Sequence, residues 1–469
     1  MEHPLWIGGQ PVRTSHKKNI LIPFDGSFAG EVYQGGPAEV NAAIEAAQRA
    51  FPAMRGMSRH ERSSILYRAR TGLEQRAEEM ARLIAAESGK PIRDARTEVN
   101  RGLYTLLFSA EEANRLAGDE VPIDAHGGGK GRMGMTIRQP LGVIAAITPF
   151  NFPLNLPLHK IGPALAAGNS VVHKPASSTP MSPLLMAEIF AEAGLPAGAY
   201  NVVTGPGGEI GDALTSDPRV AMVTFTGSAE VGQRIRNLAG MKRVTLELGS
   251  NSAVIIEADA DLDKAVPRCV AGAFAYAGQV CISVQRIFVQ EEIREEFIDR
   301  MSQGAAKLKI GHPLDDATEM SSLITEGEAK RIETWIGEAR EAGAHVEGGE
   351  RNGATVTPAV LSRVAANSKI MTHEAFGPVV AVNGYQTLDD AIDMVNRSDF
   401  GLQAGMYTRE LDKAFRAARE VQVGGFHINE VPSFRVDQMP YGGVKMSGTG
   451  REGPHYAIEE MTELKLITW

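Results

Sequence analysis

The chain predicts an α/β fold in which a parallel sheet carries helices on both faces. From Leu141 onward short apolar runs of strand length alternate with helical stretches, the order in which β-α-β units build such sheets. A second helix–strand block runs from Leu262 to about Ile428, and at 469 residues the chain is long enough for two or three domains.

The first stretch reads as helical. Pro37 opens a segment with Val40, Ile44, Ala47 and Phe51 on one face. A longer helix is expected from about Ser63 to Ala86, and a third from about Arg93 to Leu116, with Glu111 and Glu112 near its end. Val121–Ile123 and Met133–Ile137 flank the glycine-rich turn Gly127–Gly131, which predicts a projecting hairpin. The expected strands are then Gly142–Ile147, Ser170–His173, Asn201–Thr204, Met222–Phe225, Val244–Leu248 and Ala253–Ile256. Helices fill the gaps, among them Glu209–Leu214 and Pro183–Ala193, the latter with Ser182 as N-cap and Pro183 as first helical residue. Glu463–Trp469 alternates and reads as an edge strand.

Composition is that of an ordinary globular protein, 43% hydrophobic and 22% charged, and the net charge of −9 argues against nucleic acid as a partner. No basic start precedes an apolar stretch, and no window resembles a membrane span. Two cysteines in so long a chain point to a reducing, cytoplasmic setting.

Several turns carry residues with chemical potential. Cys281 follows the small, glycine-containing turn Ala277-Gly278-Gln279-Val280, where a thiolate would be able to attack a carbonyl. Its plainer reading is an inert buried thiol, the one preferred for Cys269. Glu247 lies between two leucines, where a desolvated carboxylate would serve as general base; an outward-facing strand residue is the alternative. Asn151, braced by Pro149, Phe150, Phe152 and Pro153, would donate to an oxyanion, or simply form a turn. Phe225–Gly232 follows a strand and begins a helix that Ser228 can cap, leaving backbone N–H groups for a pyrophosphate. Lys174 would reach ribose hydroxyls and Glu374 a second ribose, unless they are a solvated lysine and an acidic turn.

In this order the motifs TPFNFP (Thr148–Pro153), HKPASSTP (His173–Pro180), FTGSAEVG (Phe225–Gly232), LELGSN (Leu246–Asn251), GQVC (Gly278–Cys281), HEAFGP (His373–Pro378) and PYGGVKMSGTGREG (Pro440–Gly453) resemble the aldehyde dehydrogenase superfamily over nearly the whole chain. The resemblance implies a Rossmann-like cofactor domain at 1–119 and 138–248, an α/β catalytic domain at 249–432, and a β bridging element at 120–137 and 450–469 that joins subunits into a homodimer or homotetramer. It makes Cys281 the nucleophile, Glu247 the general base and Asn151 the oxyanion donor. Cofactor contacts would come from Thr148, Pro149, Phe150, Lys174, Ser177, Gly207, Phe225, Thr226, Gly227, Ser228, Gly232, Leu248 and Gly249, with Gly227, Ser228 and Gly232 along the pyrophosphate and Glu374 and Phe376 at the nicotinamide ribose. The implied reaction is attack of Cys281 on an aldehyde, hydride loss to NAD or NADP, and hydrolysis of the thioester by water that Glu247 activates, with no metal. The neighbourhood is similar to the branch holding lactaldehyde, succinate-semialdehyde and non-phosphorylating glyceraldehyde-3-phosphate dehydrogenases.

Below the family level, strongly NAD-preferring members often carry an acid three positions after the lysine, where this chain has Ser177. A serine would donate to a 2′-phosphate that an acid would repel, so NADP is expected to be accepted and even preferred. Tyr276 stands where relatives often have Asn, and the sequence suggests no reason. Arg101, His159, Ser283 and Arg435 are the candidate substrate residues, suited to a small polar or anionic aldehyde, with structural ion pairing as the alternative for each arginine. Glu247 favours water over CoA as acyl acceptor. The presence of Cys281, Glu247 and Asn151 together argues against a catalytically silent protein.

Overall fold

The computed structural model describes residues 2–469. Its first large sheet has eight strands in the order 448–449, 243–247, 220–226, 143–147, 170–174, 200–202, 5–7 and 10–12, of which the five from Arg243–Glu247 to Tyr200–Val202 are parallel. Val143–Ile147 is central and wholly buried. Val143, Ala145 and Ile147 point to one core, where they meet Ile44, Ile210 and Ile235. Ile144 and Ala146 point to the other, packed with Leu66, Leu106, Ile161 and Leu185. Helices on both faces are what such a two-sided apolar strand requires.

From Val143–Ile147 the chain winds outward to Ser170–Lys174 and Tyr200–Val202 on one side, then returns to Val220–Thr226 and Arg243–Glu247 on the other. The switch of direction lies between Val143–Ile147 and Val220–Thr226, whose carboxyl ends open a crevice. The loops there are those of Thr148–Asn151 and Gly227–Ser228.

A second sheet has seven strands in the order 345–347, 359–362, 379–385, 286–290, 253–256, 403–407 and 425–428, all parallel except His345–Glu347. Val254 and Ile256 face one core, Ala253 and Ile255 the other. The predicted C-terminal edge strand forms as Thr462–Thr468, paired over its whole length with Gly134–Pro140.

Residues 2–34 carry strands, including the Phe28–Gln34 and His16–Leu21 pair, and the helix Pro37–Gly56 begins at the expected proline. Local readings need correction in four places. The single helix expected over 63–86 is two, Arg59–Gln75 and Ala77–Ser88, broken at Arg76, whose guanidinium is clamped by Glu79 at 2.8 and 2.9 Å. No Gly or Pro marks that break. The hairpin exists as Glu120–Val121 against Gly134–Pro140, but Ile123–Ala125 and Gly127–Gly129 are 3-10 turns, not strand and tight turn. The central strand begins at Val143, because Gly142 (φ 137°) is still in the turn. Ser182 is not an N-cap: the helix is Met181–Glu192, and its free N–H groups at Met181 (2.7 Å) and Ser182 (3.0 Å) are met by the carboxylate of distant Glu87. A cap supplied from another helix leaves no local signature.

Candidate active site

The loop before Cys281 is strained. Tyr276, Ala277 and Gly278 take positive φ values of 49°, 53° and 72° in succession. Only glycine fits the last position, since a Cβ there would lie 2.1 Å from the Gly377 carbonyl oxygen. Phe376, in the loop that Gly278 touches, is also left-handed at φ 48°. Two such segments against each other are over-determined by their surroundings, a pattern concentrated at active sites.

Cys281 is half-buried and borders two cavities. One, of about 660 Å³, is also lined by Asn151, Glu247, Gly249, Glu374 and Phe376. The other, of about 370 Å³, is lined by Lys90, Arg101, Phe152, Arg268, Arg435 and Tyr441. Burial pushes the Cys281 thiol up to about 11, against the downward pull of a hydrogen bond with Tyr441 Oη (2.8 Å) and of the Arg435 charge. The resting thiol therefore has to lose a proton before the sulfur attacks.

Glu247 ends the strand Arg243–Glu247 and is buried, both carboxyl oxygens lacking a hydrogen-bond partner among the described residues. Burial, then the nearby Glu452, hold its carboxyl well above the usual range. Burial acts the same way on Glu452, yet Lys160 (2.7 Å) and Arg435 (2.9 Å) overcome it and keep that carboxyl ionised. Environment thus separates two neighbouring carboxyls into a fixed anion and a group able to exchange protons. Asn151 donates one N–H of its buried amide to the Gln279 carbonyl (3.0 Å), which sets its orientation and leaves the second N–H free.

The larger cavity fits a dinucleotide. Its wall includes Pro149, Phe150, Thr226, Gly227, Ser228 and Leu248. Ser228 caps the helix Ala229–Ala239, accepting from Val231 N at 3.3 Å, so the remaining amino-terminal N–H groups face the crevice. Thr226 Oγ1 is buried without a partner among the described residues, a hydroxyl that a ligand would satisfy. Glu374 accepts from Ser250 N at 2.9 Å, and burial pushes its carboxyl up to about 7. Glu374 packs against Gly249, where a Cβ would sit 2.4 Å from Oε2, so a larger residue would displace that carboxyl. Phe376 packs edge-on to Phe150 at 5.7 Å.

Other expected cofactor residues lie outside that wall. Thr148 hydrogen-bonds His173 Nε2 at 2.8 Å in the interior. Phe225 is core, its ring propping Gly227. Gly232 faces Leu248, where a Cβ would approach to 2.4 Å, so a glycine there lets helix and strand pack closely. Lys174 is buried beside Gly207, the first residue of the helix Gly207–Ser216, and burial pushes its amine down to about 8. Ser177 Oγ donates to Gly205 O (2.8 Å), while its carbonyl accepts from Lys18 Nζ (3.0 Å).

Of the substrate candidates, Arg101 and Arg435 reach the smaller cavity. His159 does not; it is buried behind it, 3.0 Å from Asp437, which also binds Asn155 (2.9 Å) and Arg101 (2.8 Å). Burial would raise the Asp437 carboxyl, but His159 and Arg101 hold it well below the ordinary range. Ser283 is likewise structural, donating to the Gly272 and Ala273 carbonyls at 3.2 Å each.

Sequence reasoning missed Lys90, Phe152, Arg268 and Tyr441. Lys90 pairs with Glu98 in the interior and stands 3.8 Å above the Phe152 ring and 4.8 Å from that of Tyr276. That gives Tyr276 a reason: its ring covers a buried ammonium, and its hydroxyl donates to Ser88 O at 2.7 Å. Tyr441 was already inside a quoted motif but without a role.

The profile of the Aldehyde dehydrogenase family matches residues 12–467. The chain is 47% identical over 467 residues to 3-sulfolactaldehyde dehydrogenase of Priestia megaterium, covering 99% of this chain and 98% of that one. It is 40% identical over 455 residues to succinate-semialdehyde dehydrogenase [NADP(+)] of Escherichia coli, covering 96% and 93%. Among solved structures, glyceraldehyde-3-phosphate dehydrogenase from Methanocaldococcus jannaschii complexed with NADP superposes with a TM-score of 0.94 at 36% identity, covering 97% of this chain and 100% of that one. Family, fold and crevice agree, and the chain belongs to the aldehyde dehydrogenase family as an NAD(P)-dependent aldehyde oxidoreductase.

Proposed function

We propose that the chain oxidises a small aldehyde with an anionic tail to its carboxylate, and that it accepts NADP. The carrying observation is that Cys281 borders both cavities at once, one able to hold a dinucleotide and the other lined by arginines. In this reading residues 1–119 and 138–248 hold the cofactor, 249–432 carry the nucleophile, and 120–137 with 450–469 bridge subunits.

When bound, the nicotinamide supplies the hydride acceptor. After its proton leaves, the Cys281 sulfur gives a lone pair to the aldehyde carbon and the C=O π pair moves to oxygen. Asn151 Nδ2–H meets that oxyanion. Once the carbon is oxidised the acyl group is a thioester on Cys281. Glu247 takes a proton from water, whose oxygen adds to the acyl carbon, and the sulfur leaves as the carboxylate forms.

Arg435 supports the anionic tail. Its Nε is buried without a partner among the described residues although Nη2 binds Glu452. The similar proteins named above carry names of aldehydes with sulfonate, carboxylate or phosphate tails. Arg435→Ala is expected to raise KM for an anionic aldehyde by about 10- to 100-fold, as loss of a charged hydrogen bond implies. KM for a neutral aldehyde of equal length should be nearly unaffected, whereas kcat should fall for both, because Arg435 also holds the Tyr441 ring and Glu452. Equal rises in KM for both would remove the assignment.

For the cofactor, Ser177 brings no acid to the adenosine-ribose position and Lys18 adds a cation nearby. Ser177→Glu is expected to raise KM for NADP about tenfold or more while sparing NAD. Parallel titrations with both dinucleotides check this, and an unchanged NADP constant would overturn it.

A homodimer or homotetramer is supported by the exposed apolar side chains of Leu464, Leu466 and Ile467 on the Thr462–Thr468 strand and of Trp469 just beyond it, beside Met133 and Met135. Cys269 and Cys281 are both free thiols, in keeping with a cytoplasmic setting. Among the described residues no helix is long and apolar enough to cross a membrane.

A further inference from the structure

We propose that the Tyr441 hydroxyl is a catalytic group of thiol addition: it holds the Cys281 sulfur in the resting site and donates a hydrogen bond to it once the thiolate forms. The inference rests on Cys281 being the nucleophile.

Tyr441 Oη lies 2.8 Å from Cys281 Sγ. The phenol is fixed from behind, with the Arg435 guanidinium 3.6 Å from its ring centroid and that guanidinium tied to Glu452, itself paired with Lys160. The next residue, Gly442, lies near the general base, since a Cβ there would come 2.9 Å from Glu247 Oε1 and 2.6 Å from the Gly450 carbonyl oxygen. The Tyr441-Gly442 dipeptide therefore runs past the nucleophile and the base with consecutive residues.

A thiol and a phenol can each donate to the other. After the sulfur loses its proton only O–H donating to S⁻ remains, and a hydrogen bond to a charged atom is the stronger kind. The charged groups acting on Cys281 are Arg435, Glu374 and Glu247; those acting on Tyr441 are Arg435 and Glu247. Burial keeps the phenol proton in place well beyond its ordinary range, so Tyr441 stays a donor at working pH. In the step itself the S–H proton leaves to water or Glu247, a sulfur lone pair forms the C–S bond, and the C=O π pair moves to oxygen. The tyrosine keeps its proton throughout. Its bond weakens as the sulfur becomes neutral, so the help is confined to the thiolate.

The test is the pH dependence of iodoacetamide labelling, mapped to the Cys281 peptide by mass spectrometry, in the wild type and in Tyr441→Phe. The variant keeps the ring beneath Arg435 and loses only the hydroxyl. Its thiol midpoint is expected to rise by about one unit, which leaves about tenfold less thiolate below the midpoint. The less stabilised thiolate is intrinsically more reactive, so labelling should slow about threefold net. A second variant, Tyr441→3,5-difluorotyrosine, strengthens the donor at nearly constant shape and should move the midpoint down. Identical profiles in all three proteins would overturn the role of Tyr441 while leaving Cys281 as nucleophile. Labelling that spares Cys281 in a protein that still oxidises aldehydes would overturn both.

Discussion

Cys281→Ala is expected to abolish aldehyde-dependent NAD(P)H formation, with a loss of about 10⁴-fold or more, the scale seen when a covalent nucleophile is removed. The reason is geometric. Cys281 borders both the dinucleotide cavity and the arginine-lined cavity, and the remaining cysteine, Cys269, is buried in the helix Leu262–Phe274. Burial raises the Cys269 thiol strongly, so no second thiolate can stand in. Dinucleotide binding should survive, because none of the residues facing the crevice opening at Gly227 and Ser228 depends on the sulfur. Fluorescence titration beside the activity assay separates the two effects, and turnover retained in Cys281→Ala would remove the proposed nucleophile.

Glu247→Gln should act differently. It keeps the shape of the buried carboxyl and loses its ability to take a proton, so acylation can proceed once while hydrolysis of the thioester fails. Steady-state turnover is expected to fall about 10²- to 10⁴-fold. A rapid burst of at most one NAD(P)H per site should remain. The pH profile follows from the same group. Burial and the neighbouring Glu452 raise its carboxyl, and a base works only when deprotonated. Turnover limited by hydrolysis should therefore rise with pH through a range above that of an ordinary carboxylate, and this limb should be missing in Glu247→Gln. A variant that loses the burst together with the steady state would overturn this assignment and make Glu247 a base required for the thiol.

The parts of this arrangement that were legible in the sequence are those where local pattern and tertiary role coincide. Val143–Ile147 is apolar on both faces because both faces are buried, and the run announces the sheet. Asn151 and Cys281 sit in distinctive turns and Glu247 at a strand end, and a single cavity receives all three. What could not be read depends on contacts between distant segments. The amino terminus of Met181–Glu192 is satisfied by Glu87, so Ser182 only looked like a cap. His159 and Ser283 are polar residues near the site in sequence, yet His159 Nε2 meets Asp437 off both cavities and the Ser283 hydroxyl faces the Gly272 and Ala273 carbonyls. Gly232 belongs to a phosphate-like motif, and its contact with Leu248 is visible only in the fold. Tyr441 is the converse case. It lies in a recognisable motif that gives it no role, and only folding brings its oxygen to the sulfur.

The most direct test of the account is to mix Glu247→Gln with an anionic aldehyde and NADP, quench within the burst, and weigh the peptide containing Cys281. The account predicts a mass increase equal to the acyl group, on Cys281 and not on Cys269, in step with NADPH formed. NADPH released with no acyl group on Cys281 would contradict it.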